Sequence, residues 1–124
     1  KAAAAAKAQA VASQADLQRS IDAEERLDAA RASGAMSTWA ALIQARIQRA
    51  WIRPPSARAG LDCTLYLTQA PGGAVLTVRM GSCNGDDAVK RSIVDAAYRA
   101  SPLPAPSDPS LFERNLEVTF RPTD

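Results

Sequence analysis

The residues best suited to chemistry are Cys63 and Cys83, the only two cysteines among the 124 residues of the chain. The sequence contains no histidine, which excludes Ser-His-Asp and Cys-His catalytic sites and histidine-ligated metals. Two cysteines without histidine cannot complete the four-ligand set of a structural zinc. The sequence therefore predicts no metal and no cofactor. It leaves two alternatives for the cysteines: a disulfide in an oxidising compartment, or two separate buried thiols in a cytosolic domain.

The remaining polar residues do not form a catalytic arrangement. Asp86 and Asp87 stand where a helix is predicted to begin, and Glu24 and Glu25 lie on a solvated helix face. The Pro-Gly-Gly run at 71–73 is typical of a turn and does not resemble a phosphate-binding loop. We therefore predict that the chain is not an enzyme. The rival hypothesis, an enzyme with a site built from arginine and aspartate, requires a deep polar cleft.

The charge pattern does not favour nucleic-acid binding. The formal net charge is +2, both signs are interspersed, and the polar strand positions carry no aromatic residue except Tyr66. A local basic cluster precedes the first predicted strand, and we expect it to face solvent or a partner. Its members are Arg46, Arg49, Arg53 and Arg58. No apolar run approaches the ~18 residues of a transmembrane helix, so no membrane contact is predicted for this part of the protein.

Residues 1–34 are predicted to form an extended, solvated helical stalk ahead of a domain at residues 35–124. Alanine dominates residues 1–32, and neither proline nor glycine occurs there. The few larger apolar residues are too isolated for a coiled-coil seam. Ser33 and Gly34 are predicted to interrupt the helix, and Ser37 to cap a new one. Because the sequence starts within the Ala/Lys pattern, we expect it to be a C-terminal piece of a longer protein.

Two helices with one apolar face each are predicted within the domain. From Ser37 to Trp51, apolar residues recur every four residues, and Leu42 and Ala50 widen the stripe. The members of this stripe are Trp39, Ile43, Ile47 and Trp51. The second helix runs from Asp87 to Ala100, with Asp86 or Asn84 as its cap. Its predicted buried face consists of Val89, Ile93, Ala96, Ala97 and Ala100.

Three stretches alternate apolar and polar residues, as strands of an antiparallel sheet do. The first is 61–69, and its inward residues are Leu61, Cys63, Leu65 and Leu67. The second is 74–80, with Leu76, Val78 and Met80 inward and Val75, Thr77 and Arg79 outward. The last is 115–121, with Leu116, Val118 and Phe120 inward.

The element order α-β-β-α-β predicts an α+β fold, a three-stranded antiparallel-type sheet covered by helices. The order 2-1-3, in which the last strand pairs with the first, satisfies the connections most easily. A hairpin turning near Gly72 and Gly73 would bring Cys83 within a residue or two of the position opposite Cys63. A disulfide requires Cα atoms about 4.4–6.8 Å apart, so this hairpin allows a bridge without requiring one.

These elements, in this order, resemble the C-terminal periplasmic domain of the TolA family, within the wider TonB/TolA C-terminal family. The resemblance rests on WIRPPSARAG before the first strand, CTLYLTQAPGG, a second Cys just before the last helix, and SPLPAPSDPSLFERNLEVTFRP at the end. It covers residues 37–124 in motif order and residues 1–32 in composition only. A TonB-type domain is the nearest alternative, but a Pro-rich spacer more usually precedes such a domain than an Ala/Lys-rich helix does.

The resemblance implies a non-enzymatic interaction domain of a Tol-Pal energy-transducing system. Family members are anchored in the inner membrane and act with TolQ and TolR through an N-terminal region ahead of this sequence. They reach across the periplasm to TolB and Pal and support envelope integrity during cell division. Group A colicins and filamentous phage coat proteins use the same domain for entry. The resemblance also implies a disulfide between Cys63 and Cys83. The alternatives are a TonB-like energy-transducer domain or another periplasmic adaptor.

Either edge strand of the predicted sheet could accept a strand from a partner. An open edge offers unpaired N–H and C=O groups, and neither edge contains an internal proline. We predict that the last strand is the docking edge, with Glu117, Thr119 and Arg121 exposed to steer the partner. The predicted partner-binding residues are Asn115, Leu116, Glu117, Val118, Thr119, Phe120 and Arg121.

Overall fold

The computed structural model describes residues 2–123 and confirms the predicted α+β fold. The helices are α1 (Ala2–Ala50) and α2 (Asp87–Arg99), and a short 3-10 helix spans Pro109–Leu111. The strands are β1 (Cys63–Gln69), β2 (Val75–Cys83) and β3 (Asn115–Phe120). Lys1 and Asp124, the outermost residues of the predicted stalk and domain, lie outside the described residues. Among the described residues, none of the helices combines the length and apolar character that a membrane crossing needs.

The chain divides into two compact units, Lys1–Gly34 and Ala35–Asp124. In the first unit nearly all side chains described are exposed, including those of Val11 and Leu17. Ion pairs join Asp16 to Arg19 and Asp28 to Arg31 along the helix surface. Exposed pairs of this kind contribute only about 0.2–0.5 kcal/mol each. The helical state of this unit therefore rests mainly on the high helix propensity of alanine.

The predicted break at Ser33 and Gly34 is wrong, because α1 continues through both residues. Ser37, predicted to cap a new helix, lies inside α1. A glycine in a helix interior costs only about 1 kcal/mol relative to alanine. That cost is too small to end a helix that good helix formers flank on both sides. The helix ends at Ala50, a few residues before Pro54 and Pro55, where the residue ahead of a proline is excluded from the α region.

The sheet has the predicted order, β2-β1-β3, and β1 is antiparallel to both of its neighbours. Between β1 and β3 the register is regular, with Tyr66 opposite Glu117 and Thr64 opposite Thr119. The last strand therefore pairs with the first, as the element order predicts.

The inward face predicted for the second strand is correct at Val78 and Met80 and wrong near the hairpin turn. Leu76, predicted to point inward, is 48% exposed, whereas Val75 packs against the core. The cause is a register shift, since Thr68 lies opposite Thr77 but the next residue, Gln69, lies opposite Val75. Leu76 is the extra residue of this β-bulge, and the bulge reverses the alternation of the residues that follow it towards the turn.

One hydrophobic core joins the helices to the inward face of the sheet. The predicted stripes of both helices are buried, with Ile43, Ile47 and Ile93 at 1% exposure or less, except that Trp51 is half-buried and follows the end of α1. Phe120 of β3 is fully buried and meets Trp51 edge to face, with ring centroids 5.3 Å apart. Leu42, which was expected to widen the α1 stripe, is 49% exposed. It lies about 100° around the helix from Ile43, at the margin of the buried face.

Polar contacts attach the loops to this core. The Trp39 indole Nε1 donates to the Pro104 carbonyl at 2.7 Å, which attaches the proline-rich crossing to α1. Arg99 donates through Nε and Nη2 to the carbonyl of Ala50, the last residue of α1, at 3.2 and 3.1 Å. Since the last carbonyls of a helix lack intrahelical partners, Arg99 of α2 completes the end of α1.

Asp86 is the cap of α2, one of the two caps that the sequence allows. Its Oδ1 accepts from the backbone N–H of Val89 at 2.9 Å. Hydrogen bonds from Val89 and from the Ser56 hydroxyl lower the pKa of Asp86 below its ordinary value of 3.8. Asn84, the other candidate, instead joins the loop ahead of β1. Its Oδ1 accepts from the Asp62 N–H, and its Nδ2 donates to the Gly60 carbonyl.

Candidate functional site

The backbone groups of β3 that point away from the sheet form the open edge. In an antiparallel pair, opposite residues alternate between those that exchange hydrogen bonds and those that do not. The Gln69 N–H donates to the Arg114 carbonyl at 2.9 Å, one step beyond the pair Thr68–Asn115. By alternation, Asn115, Glu117 and Thr119 belong to pairs that exchange none. Their N–H and C=O groups therefore point outward, away from β1.

These outward groups have no hydrogen-bond partner within residues 2–123. The contact at the end of the edge involves Arg121, whose carbonyl accepts from Gln44 Nε2 at 3.2 Å. Arg121 itself follows the last residue of β3, and its guanidinium pairs with Asp62 at 3.2 Å. The edge is thus unoccupied from Asn115 to Thr119 and is joined to α1 at Arg121.

The opposite edge, on β2, is partly closed by side chains from α2 and the loop after it. The backbone N–H of Val78 donates to the Tyr98 hydroxyl at 3.1 Å, and the N–H of Val75 donates to Ser101 Oγ at 3.0 Å. The same alternation turns the backbone groups of Val78 away from β1. Hydroxyl groups therefore occupy donors that an added strand would need, and the two edges are not equivalent.

A groove of about 250 Å³ lies between β3 and the part of α1 that belongs to the second unit. Its apolar lining is Met36, Trp39, Ala40, Ile43, Leu116 and Val118, and its polar lining is Glu113, Asn115 and Glu117. Trp39 and Ile43 are buried, whereas Ala40 is exposed and Met36 half-buried. A strand added to β3 would send every second side chain towards this groove, because side chains alternate between the faces of a sheet.

The start of β3 is held by Gln69, whose burial was not predicted from the sequence. Gln69 is fully buried, its Nε2 donates to the Glu113 carbonyl at 2.8 Å, and its backbone N–H donates to Arg114. Its Oε1 has no hydrogen-bond partner among the described residues. The signal was available, since Gln69 continues the inward phase of Leu65 and Leu67. Its polar side chain argued against a core position.

The outward face of the sheet carries an aromatic ring between charged neighbours. Tyr66 lies opposite Arg79 of β2 on one side and Glu117 of β3 on the other. The Arg79 guanidinium carbon is 4.8 Å from the centroid of the Tyr66 ring, a cation–π distance. The ring also lies close to the backbone of Gly81, where a Cβ atom would collide with it. Tyr66 is therefore held on the outward face of the central strand by contacts with β2.

The two cysteines form a disulfide at the end of the hairpin away from its turn. Cys63 lies opposite Cys83, and their Cα atoms are 4.0 Å apart. A register shift between Cys63 and Leu65 brings Cys83 into this position. On its other side Cys63 lies opposite Phe120 of β3. The bridge therefore links β2 to β1, the central strand that also pairs with β3.

Comparison with known proteins identifies the family. The sequence family described as TonB C terminal matches residues 36–120, which is most of the chain. This chain belongs to the TonB C-terminal family. The matched residues include all three strands and α2, together with the part of α1 that lines the groove.

A solved structure supports the same assignment of this TonB C-terminal domain. It is the NMR solution structure of TolAIII bound to a peptide derived from the N-terminus of TolB. The two chains are 26% identical, the match covers 68% of this chain and 73% of the other, and the TM-score is 0.58. A search of curated proteins finds no match. Both the family and the structural neighbour are interaction domains of the TonB/TolA type.

Proposed function

We propose that this TonB C-terminal domain is a non-enzymatic interaction domain of a Tol-Pal-type envelope system that captures an extended segment of its partner by β-strand addition to β3. The observation that carries the proposal is the difference between the two sheet edges. The outward backbone groups of Asn115, Glu117 and Thr119 have no partner within residues 2–123, whereas those of Val75 and Val78 bond to hydroxyl groups. An added strand needs such unoccupied donors and acceptors.

The docking stretch in this proposal is shorter than the one expected from the sequence. Arg121 was expected to steer the partner, but its carbonyl is bonded to Gln44 and its guanidinium to Asp62. Arg121 therefore marks the end of the docking edge. The inward residues of β3, Val118 and Phe120, are buried and support the docking edge from the side of the core. The residues left to meet a partner strand are Asn115, Glu117 and Thr119, with Leu116 lining the groove.

The proposed partner segment is the N-terminus of TolB. The similar TolAIII chain was solved with a peptide of that origin, and an unfolded terminal segment is free to extend along a sheet edge. A contact limited to this stretch of β3 buries little area, which is typical of weak and transient interfaces. Repeated capture and release would suit a domain that cycles between partners.

The wider assignment follows the same reasoning. We place the domain in the periplasm, where the Cys63–Cys83 bridge would be maintained. In this proposal it links the inner membrane to TolB and Pal at the outer membrane, with TolQ and TolR acting through a membrane-anchored region elsewhere in the protein. Colicins and filamentous phage coat proteins would exploit the same surface. The stalk would carry position or force and would contribute no specificity.

An NMR titration tests the docking edge directly. The ¹⁵N-labelled chain is titrated with a synthetic peptide of the TolB N-terminus, and amide shifts are followed residue by residue. We expect the largest shifts at residues 115–119 and along the groove side of α1. Shifts confined to α2 and β2, with residues 115–119 silent, would rule out the proposed edge.

A proline substitution then separates the backbone from the side chain. Thr119→Pro removes an outward N–H that β1 does not use, and edge strands tolerate proline at such positions. We expect peptide affinity to fall at least about fivefold, because a main-chain hydrogen bond is lost and the ring obstructs the edge. The control Thr119→Val keeps the N–H and the branched shape, and it should bind like the wild type. Equal affinity for both variants, each with a folded spectrum, would contradict strand addition at β3.

A TonB-like energy-transducer domain is the second candidate, because the family match is to the TonB C terminus. The two candidates differ in their partners. Pull-down from a periplasmic extract with the disulfide-bonded chain should recover TolB if the first is correct. Recovery of other envelope proteins without TolB, together with no response to the TolB peptide, would favour the second.

A further inference from the structure

Two glutamates beside the open edge are not neutralised by an ion pair within residues 2–123. Glu113 and Glu117 are exposed and border the groove. Within residues 2–123 neither carboxylate forms an ion pair or a hydrogen bond. The part of α1 that lines the groove, residues 36–43, contains no charged residue. Arg114 does not line the groove, and Arg121 is paired with Asp62. The groove and the docking stretch therefore present a net negative charge to an approaching segment.

A strand paired to β3 would present its side chains alternately to two different environments. The residue directly opposite Glu117 would share its outward face, with Cβ atoms about 4.5–5.5 Å apart. The residues before and after the one opposite Glu117 would point towards the groove, on the side lined by Met36 and Ala40. The groove is apolar there and has room for an aliphatic side chain. One face of the added strand thus meets a carboxylate and the other meets hydrocarbon.

We propose that the β3 edge selects extended segments that place a basic residue opposite Glu117 and aliphatic residues on either side of it, facing the groove. The inference rests on the proposed strand addition and specifies the chemistry of the segment that is taken. The carboxylate attracts the basic residue across the strands, while burial of the aliphatic residues supplies most of the affinity. Arg79 lies on β2, and both β1 and β3 separate it from the added strand, so Glu117 is the nearest outward charge that the segment meets.

Three blocked heptapeptides test whether the β3 edge prefers basic and aliphatic side chains. The first, TVKVKVT, alternates valine with lysine; the second, TVEVEVT, replaces lysine with glutamate; the third, TTKTKTT, replaces valine with threonine. Dissociation constants are measured by NMR titration against the wild type, Glu117→Lys and Asp95→Lys. Asp95 is an exposed residue of α2, so its variant makes the same charge change away from β3.

We expect the wild type to bind the lysine peptide about two- to fivefold more tightly than the glutamate peptide, the range of an exposed cross-strand ion pair. The preference should reverse in Glu117→Lys and remain in Asp95→Lys. The threonine peptide should bind about tenfold or more weakly, because its groove-facing side chains bury less apolar surface.

The failures of the two proposals are distinguishable. If shifts appear at residues 115–119 but the lysine and glutamate peptides bind equally, or if the preference survives Glu117→Lys, the selection is wrong and strand addition stands. If peptides bind without shifts at residues 115–119, or if none of the peptides binds, both the selection and the docking edge are contradicted.

Discussion

At the scale of single residues, Asp86 shows how one side chain sets both a helix start and a pH response. The carboxylate accepts hydrogen bonds from the Val89 N–H and from the Ser56 hydroxyl, and both favour its charged form. The pKa of Asp86 therefore lies below its ordinary value of 3.8 in the folded chain. In the unfolded chain these hydrogen bonds are absent. The two states thus bind protons differently in acid, and stability must depend on pH there.

Asp86→Asn should remove this part of the acid response. Because the folded pKa is depressed, the contribution of Asp86 is fully present above its unfolded pKa. It is lost as the pH falls through the folded pKa. Asparagine is an equally good helix cap but does not titrate. Urea unfolding from pH 6 to pH 2 measures the unfolding free energy of both proteins. As the pH falls below about 3.8, the unfolding free energy of the wild type should decrease relative to that of the variant. Parallel stability curves for the two proteins would contradict this assignment.

Most of the buried residues could be predicted from periodicity, but the polar partner that allows an amide in the core could not. The alternation of β1 places Leu61, Cys63, Leu65 and Leu67 inward, and all four are buried. Gln69 continues that phase and is also buried, yet its amide is accepted in the core only because the Glu113 carbonyl lies within reach. That carbonyl comes from the far end of the domain in sequence. No local sequence pattern predicts such a partner.

At the scale of elements, the main errors arose where a local signal was weak or where a distant contact outweighed it. Ser33–Gly34 was a plausible helix break, but the penalty of glycine is small against the propensity of its neighbours. The bulge at Leu76 was missed because the adjacent apolar residues Val75 and Leu76 each fit an inward position. The closed β2 edge depends on Tyr98 and Ser101, which are remote from β2 in sequence and reach it only through folding.

Replacing Gly34 by alanine should stabilise α1. Nothing lies within 4 Å of the position where the new Cβ would stand. The change should add about 0.5–1 kcal/mol to helix stability, because alanine loses less conformational entropy than glycine does. Thermal melts followed by circular dichroism at 222 nm should show more residual helix at high temperature. A decrease in helicity would mean that Gly34 has a role that α1 does not reveal.

Gly73→Ala is the matched control, because the same chemical change should act in the opposite direction. Gly73 has φ of +93°, and a Cβ there would collide with the backbone of Leu103. The Leu103 N–H also donates to the Gly73 carbonyl at 2.8 Å, so the hairpin tip and the proline-rich crossing are closely joined. A loss of stability is expected, of more than about 1 kcal/mol.

At the scale of the whole molecule, a small core is reinforced by one covalent link. The second unit contains few aromatic residues, and its core consists mainly of Ile, Leu, Val and Ala. The disulfide joins residues separated by 20 positions and lies beside Phe120, far from the hairpin turn. It thereby fixes the open end of the β1–β2 hairpin, where strands would otherwise separate first.

Removing the bridge should destabilise the domain without changing its fold. For a loop of this length, the chain-entropy model gives a loss of about 3 kcal/mol. Urea unfolding of the wild type with and without reductant measures the change, and we expect a lower midpoint when the bridge is reduced. The Cys63→Ala, Cys83→Ala double variant should be insensitive to reductant. An unchanged midpoint for the reduced wild type would show that the hairpin holds without its covalent link.

The unequal edges also limit how the molecule can assemble with itself. A sheet with two free edges can add copies at both sides and grow into an unlimited row. Here the hydroxyl groups of Tyr98 and Ser101 occupy two outward N–H groups and partly close one side, so the addition of copies through the other side would favour a pair over a row. We therefore expect this asymmetry to disfavour growth of the sheet by copies of the domain at both edges. Removing both hydroxyl groups would take away this protection against polymerisation.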